Sequence, residues 1–118
     1  MLDQSADLDR VFQALADPAR RLMLEQLSAG PASVTELGRP LSMTLAAVLQ
    51  HVQILERCDL VRSQKTGRTR TCRINPAGLG SAESWIAQRR AQVERRLDRL
   101  GDYLESTAAE TNRTEEGS

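Results

Sequence analysis

Residues 15–42 are cut by turn formers at intervals that leave no room for a long helix or strand: Asp17-Pro18, Gly30-Pro31, Ser33 with Glu36, and Gly38 with Pro40. An aspartate before a proline sets an N-cap and a first-turn proline, because proline lacks only an amide hydrogen that the first turn leaves orphaned anyway. Leu8, Val11, Phe12 and Leu15 precede this stop at helical spacing, and Leu22, Met23, Leu24 and Leu27 follow it. Two short helices are predicted, from about residue 7 to 15 and from Pro18 to a stop near Gly30-Pro31. Ser33-Val-Thr-Glu36 has the form of a capping box, in which hydroxyl and carboxylate satisfy orphan amides reciprocally. It opens a third helix that Gly38 and Pro40 close at once. Ser42 is then expected to cap a fourth helix from Met43 to about Cys58, so the pattern is helix, four-residue turn, helix.

After Asp59 the period changes. Leu60 to Lys65 and Thr69 to Ile74 are short runs rich in Val, Thr, Ile and Arg joined through Gly67, which reads as a β-hairpin. Asn75-Pro76 and Gly78 to Gly80 end it, and Ser81 caps a last long helix from Ala82 to roughly Ala108. Its apolar positions Ile86, Val93, Leu97, Leu100 and Leu104 are spaced 7, 4, 3 and 4, the seam of a packed helix pair. The expected organisation is one domain over residues 1–108 and a disordered acidic tail over 109–118.

The chemistry that such a chain can host is narrow. Aromatic residues are 3% of the 118, which disfavours an aromatic-packed sandwich or barrel, and the abundance of Leu, Ala and Arg favours helices. His51 is the sole histidine, and Cys58 and Cys72 are the sole cysteines, so neither a disulfide framework nor a four-ligand zinc site is expected. No nucleophile, base and orienting group stand together, so no enzyme, cofactor or metal is expected. No apolar run approaches the roughly 18 residues of a membrane span, and the acidic start lacks a signal-peptide pattern; the reading is a cytoplasmic protein with no membrane partner.

Net charge is zero, but the charges are segregated. Residues 31–81 carry seven basic side chains against three acidic ones, whereas residues 104–118 carry one against four. Between Val61 and Ile74 there are Arg62, Lys65, Arg68, Arg70 and Arg73 and no acid. Three short helices, a helix-turn-helix and a basic hairpin compose a mainly α fold with a small β-hairpin, the winged helix-turn-helix, with the Met43 helix as recognition element and the hairpin as wing.

Three segments in this order carry a family resemblance: Leu15-Ala-Asp-Pro-Ala-Arg-Arg21, Ala47-Val-Leu-Gln-His-Val-Gln-Ile-Leu55, and Leu60-Val-Arg62 with Gly67-Arg68. The sequence resembles the arsenic-repressor-like (ArsR) transcription regulators over about residues 8–104. The resemblance implies a dimeric winged-helix repressor released from its operator by a metal or another signal. The cysteine pair that metal-sensing members carry on the third helix is absent from Val34 to Arg39, and the last helix has no histidine, so metal control is not expected and the effector is left open.

Phase assigns roles within the recognition helix. With Val48 toward the core, Val52, Leu55, Leu45 and Thr44 fall within about 60° of it, while Ala46, Gln50 and Gln53 fall opposite. Thr44, Ala46, Ala47, Gln50 and His51 are the candidate DNA contacts: small side chains that let a helix approach a groove, a Gln that pairs with adenine, and a threonine at the helix start. Leu49 fits this pattern poorly. His51 is placed half-buried against the hairpin or on a phosphate. Lys65, Arg68 and Arg70 are the candidate wing contacts, with Arg68 and Arg70 expected to share a face. Cys58 and Cys72 could approach each other where the hairpin packs, which leaves a redox switch open, but small buried cysteines are the favoured reading. Glu94, Asp98 and Asp102 interleave with arginines and read as surface ion pairs, and Trp85 as packing. Leu8 and Phe12 from the first helix and Ile86, Val93, Leu97, Leu100 and Leu104 from the last are the expected dimer interface. The function these residues predict is sequence-specific regulation of transcription on double-stranded DNA with two half-sites; the competing reading is a winged-helix module that binds protein or RNA.

Overall fold

The computed structural model describes residues 4–116. The elements run α1 (Gln4–Leu15), α2 (Pro18–Ala29), β1 (Ala32–Ser33), α3 (Val34–Gly38), α4 (Leu45–Arg57), β2 (Val61–Thr66), β3 (Thr69–Ile74) and α5 (Gly80–Glu116), with 3-10 turns at Arg39–Leu41 and Pro76–Leu79. This is the winged helix-turn-helix arrangement. Compact packing divides the chain between Ala82 and Glu83 rather than after residue 108. The helix expected to end near Ala108 continues to Glu116, through most of the segment expected to be a disordered tail. Residues 105–116 are polar but contain neither Gly nor Pro, and Ala and Glu are strong helix formers, so composition alone does not stop the helix.

Two helix starts follow the caps written in the sequence, whereas α5 begins at Gly80 and takes the expected cap Ser81 into its first turn. The Asp17 carboxylate accepts from the backbone amides of Ala19 at 2.8 Å and Arg20 at 3.4 Å, with Pro18 in the first turn. The Ser33–Glu36 capping box is complete: Ser33 Oγ accepts from the Glu36 amide at 3.1 Å, and Glu36 Oε1 from the Ser33 amide at 3.2 Å. These hydrogen bonds hold the Glu36 carboxyl below its ordinary pKa.

The unit up to Ala82 has one core. Val11 and Ala14 of α1, Met23 and Leu27 of α2, Leu37 of α3, and Val48, Val52 and Leu55 of α4 close over Leu60 and, in the sheet, Val61 and Cys72. Each such aliphatic side chain contributes roughly 1.5–3 kcal/mol by leaving water. The sheet order is β1-β3-β2, antiparallel throughout; Ala32 pairs with Cys72, and Val61 to Thr66 pair with Ile74 to Thr69. The two-residue β1, which lacks a periodic signature, covers the otherwise open edge of β3. Gly67, with φ 63°, takes the first of two loop positions at the hairpin tip, where a primed turn demands positive φ.

The C-terminus of α4 fixes how the hairpin leaves the helix. The Leu60 amide donates to the Leu55 carbonyl and the Asp59 amide to the Glu56 carbonyl, both at 3.0 Å, and Asp59 stands at φ 58°. That is a Schellman motif with aspartate where glycine is usual, sealed by the buried pair Leu55 and Leu60.

Burial raises the Asp17 pKa, but the two backbone amides and the Arg20 guanidinium lower it further, and the carboxyl ends below its ordinary value. A carboxyl lowered in the folded state contributes stability above its unfolded pKa and loses it as pH falls through the folded one. Asp17→Ala is therefore expected to cost about 1 kcal/mol at neutral pH and progressively less below about pH 4. Urea titrations at pH 7 and pH 3 measure both; an equal loss at the two values would show that the charge adds nothing to the cap.

Candidate nucleic-acid interface

The turn between α3 and α4 is longer than the sequence suggests. Pro40 sits in a 3-10 turn, Ser42 takes the left-handed conformation at φ 51°, and the cap of α4 is Thr44, not Ser42. Thr44 Oγ1 accepts from the Ala47 amide at 3.2 Å, so the hydroxyl holds the helix start while its own proton stays available to an acceptor outside. Gly38 lets α3 and α4 cross closely, since a Cβ there would stand 2.8 Å from Val48 Cγ2.

Along α4 the core takes Val48, Val52 and Leu55, and the exposed side is Ala46, Gln50, Gln53 and Arg57, one continuous face at spacings of 4, 3 and 4. Ala46 and Gln50 are thus where the phase placed them. Ala47 is half-buried, and Leu49, which fitted the pattern poorly, packs partly against the core. Leu45 departs from its expected place: it is 57% exposed. As the first residue of the helix its side chain leans beyond the helix end, where α4 has no preceding turn to pack it. His51 is half-buried but rests on α2 rather than the hairpin, with Nδ1 3.2 Å from Arg20 Nη1. Because a guanidinium only donates, Nδ1 accepts and the ring proton of the neutral form sits on Nε2.

The hairpin separates its cations by face. Arg62 pairs directly with Arg73 across the strands, and both are exposed; Lys65 pairs with Arg70 on the opposite face, the one that carries the buried Val61 and Cys72. Arg70 is half-buried and donates from Nη1 to Ser63 Oγ at 2.9 Å, and Ser63 donates to the Glu56 carboxylate of α4. Arg70 therefore braces the wing against the recognition helix and does not share a strand face with Arg68, which lies in the tip turn where alternation is interrupted. Among the described residues, Arg62, Lys65, Arg68 and Arg73 have no ion pair. Two like charges directly opposite each other repel unless an anion sits between them. Arg62 and Arg73 are exposed cations that the sequence reading left out of its site, and the hairpin register is the signal that sets them side by side.

Cys72 is fully buried in the sheet, and Cys58 Sγ donates to the Arg10 carbonyl at 3.4 Å; the two form no disulfide. Burial raises both thiol pKa values, that of Cys72 to about 11, which leaves little thiolate for chemistry at neutral pH. Among the described residues no three His, Cys, Asp or Glu side chains group as metal ligands, and no helix is long and apolar enough to cross a membrane.

In the unit from Glu83 onward, α5 exposes Ile86, Val93, Leu97, Leu100, Tyr103 and Leu104. Arg89 lies over the Trp85 ring, 5.3 Å from its centroid. Leu8 and Phe12 of α1 are half-buried against the core of the first unit.

A family model for a helix-turn-helix domain matches residues 15–64. The HTH-type transcriptional regulator Rv2034 of Mycobacterium tuberculosis is 41% identical over 73 residues, which cover 62% of this chain and 68% of that protein. The crystal structure of an ArsR family transcriptional regulator is 40% identical with a TM-score of 0.74, over 80% of this chain and 97% of the other. The homodimeric winged helix-turn-helix DNA-binding domain of Mb0332 from Mycobacterium bovis, 22% identical, has the same fold, with a TM-score of 0.58 over 78% of this chain and 91% of that domain. With the fold, the exposed face of α4 and the wing all in place, the chain belongs to the ArsR family of winged helix-turn-helix, DNA-binding transcriptional regulators.

Proposed function

We propose that the protein is a homodimeric repressor, acting in the cytoplasm, that lays the N-terminal half of α4 in the major groove and the hairpin on flanking phosphates. The observation that carries the site is the pairing of the exposed, uncharged Ala46, Gln50 and Gln53 of α4 with wing cations that have no ion pair among the described residues. Gln50 reads adenine by paired hydrogen bonds, Ala46 and Ala47 let the helix approach, and Thr44 offers its free hydroxyl proton at the helix start. Leu45 joins them as an apolar contact for a thymine methyl. His51 supports α4 from behind through Arg20. On the wing, Lys65, Arg68, Arg62 and Arg73 meet phosphates, while Arg70 orients the hairpin. Dimerisation through α5 presents two copies of α4 to half-sites separated by one helical turn of DNA, about 10 to 10.5 base pairs, or a multiple of it; the Mycobacterium bovis relative is itself homodimeric.

Two substitutions separate reading from gripping. Gln50→Ala is expected to cost about 1–3 kcal/mol on the preferred operator and much less on unrelated duplex. Arg68→Ala is expected to weaken every duplex alike and to lower the salt slope by about one phosphate contact. Mobility shift on an operator selected from genomic DNA, set against unrelated duplex and single-stranded RNA, measures both. Equal loss on all duplexes for Gln50→Ala would move the reading role to Leu45 and Thr44, and preference for the RNA would overturn the DNA assignment.

A further inference from the structure

Away from the DNA-facing end of α4 the first unit contains an open cleft of about 350 Å³ between α1, the start of α2 and the C-terminal turn of α4. It is lined by Ala14, Ile54, Cys58 and Gln13 together with three guanidiniums, Arg10, Arg20 and Arg57, and among the described residues no carboxylate lines it. We propose that this cleft binds an organic carboxylate with an apolar body.

The three guanidiniums differ in a way that suits such a ligand. Arg20 is held rigidly: Nε donates to the Ala14 carbonyl at 2.8 Å, Nη2 to the Gln13 carbonyl at 3.1 Å, and Nη1 lies 3.6 Å from the Asp17 carboxylate. Arg10 has one ion pair, to Asp7 at 3.5 Å, with both side chains more than half exposed, and a pair of that kind is worth little. Arg57 has no hydrogen bond or ion pair among the described residues. One fixed and two adaptable cations at one opening leave positive charge that the fold does not neutralise. Arginine matches a carboxylate by two parallel hydrogen bonds, and a lining that offers carbon and a neutral thiol favours an acid with a hydrocarbon body over a small inorganic anion. The volume falls at the lower end of the roughly 300–1,000 Å³ of small-molecule sites.

DNA phosphate is not the natural occupant. Arg57 stands twelve residues beyond Leu45, about 18 Å along the helix axis from the end assigned to the groove. A ligand in the cleft touches α1 and the recognition helix together, so its occupancy biases how α4 is held; this consequence rests on the DNA-binding reading, while the binding itself does not.

Calorimetric titration of the full chain with octanoate tests the site, with octylammonium, acetate and inorganic phosphate as controls. Octanoate is expected to bind at one equivalent per chain with a dissociation constant below about 1 mM, and each control at least about tenfold more weakly. Arg10→Gln and Arg57→Gln, both on exposed side chains, are each expected to weaken octanoate about tenfold with an unchanged circular dichroism spectrum. Octanoate should also slow alkylation of Cys58, while buried Cys72 stays unlabelled in its presence and absence. Binding of octylammonium as tight as octanoate, or octanoate binding untouched by both substitutions, would overturn the proposal, as would no binding at all. Octanoate binding by a protein that retains no duplex would uphold the cleft and sink the DNA reading instead.

Discussion

Leu97→Asp is expected to turn a dimer into a monomer and to abolish tight binding to an operator with two half-sites. Leu97 is 61% exposed in the middle of the α5 stripe of Ile86, Val93, Leu97, Leu100 and Leu104. Five aliphatic side chains in a row on one helix face are costly to leave in water, and in the proposed dimer a two-fold partner that offers the same stripe would bury them. The substitution places a carboxylate in that contact twice, once from each copy, with Glu94 and Asp98 already close in sequence. An uncompensated charge shut into an apolar contact costs about 3–5 kcal/mol, so the dimer dissociation constant should rise by at least about a hundredfold. Sedimentation equilibrium at micromolar concentration reads the change directly, and Leu97→Met, similar in volume and apolar, should leave the dimer intact. A native protein that sediments as a monomer would remove both the interface and the two-half-site operator.

The parts of this fold that could be read in the sequence are those fixed by local chemistry. Asp17-Pro18 and Ser33 with Glu36 announce helix starts because the capping atoms and the amides they satisfy lie within three residues of each other, and the structure contains both sets of hydrogen bonds. The start of α4 is different. Ser42 and Thr44 are equally good caps by residue type, and the choice is made by the 3-10 turn at Pro40, which uses up the residues before Thr44.

The recognition face was legible for the same reason that it failed at one end. Counting 100° per residue from Val48 places Gln50 and Ala46 outward correctly, since the middle of a helix is packed on the side its phase dictates. Leu45 has the phase of a core residue but lies at the helix end, where a core neighbour would have to come from another element and none does. On the hairpin, the sequence showed a run of cations but not their faces: the tip turn at Gly67-Arg68 breaks the alternation, and pairing register alone puts Arg62 beside Arg73 and turns Arg70 toward Ser63. The contact from Arg20 to His51 joins residues 31 apart, and no local pattern could have indicated it.

Gly78→Ala is expected to destabilise the first unit by about 3 kcal/mol, far more than an alanine normally costs at an exposed turn. A Cβ on Gly78 would stand 2.0 Å from the Asp59 carbonyl oxygen and 3.0 Å from Leu60 Cα. Those atoms are backbone and cannot swing aside. The Asp59 carbonyl accepts from Asn75 Nδ2 at 2.8 Å, and the Asp59 and Leu60 amides belong to the Schellman motif that ends α4, so each small movement breaks a further hydrogen bond. The segment also joins α4 to β2, which carries the wing. Displacing it pulls Ser63 from Glu56 and releases Arg70, so the hairpin loses its fixed angle to the recognition helix. The variant should therefore lose operator affinity even under conditions where it remains folded, and Ser63→Ala, which cuts the same brace without touching the turn, should reproduce part of that loss with little change in stability. Urea denaturation and mobility shift on the two variants measure the two effects separately. Gly78→Ala stability within about 0.5 kcal/mol of the native protein would show that the turn yields to a methyl group and that the close approach of Gly78 to Asp59 does not set the wing.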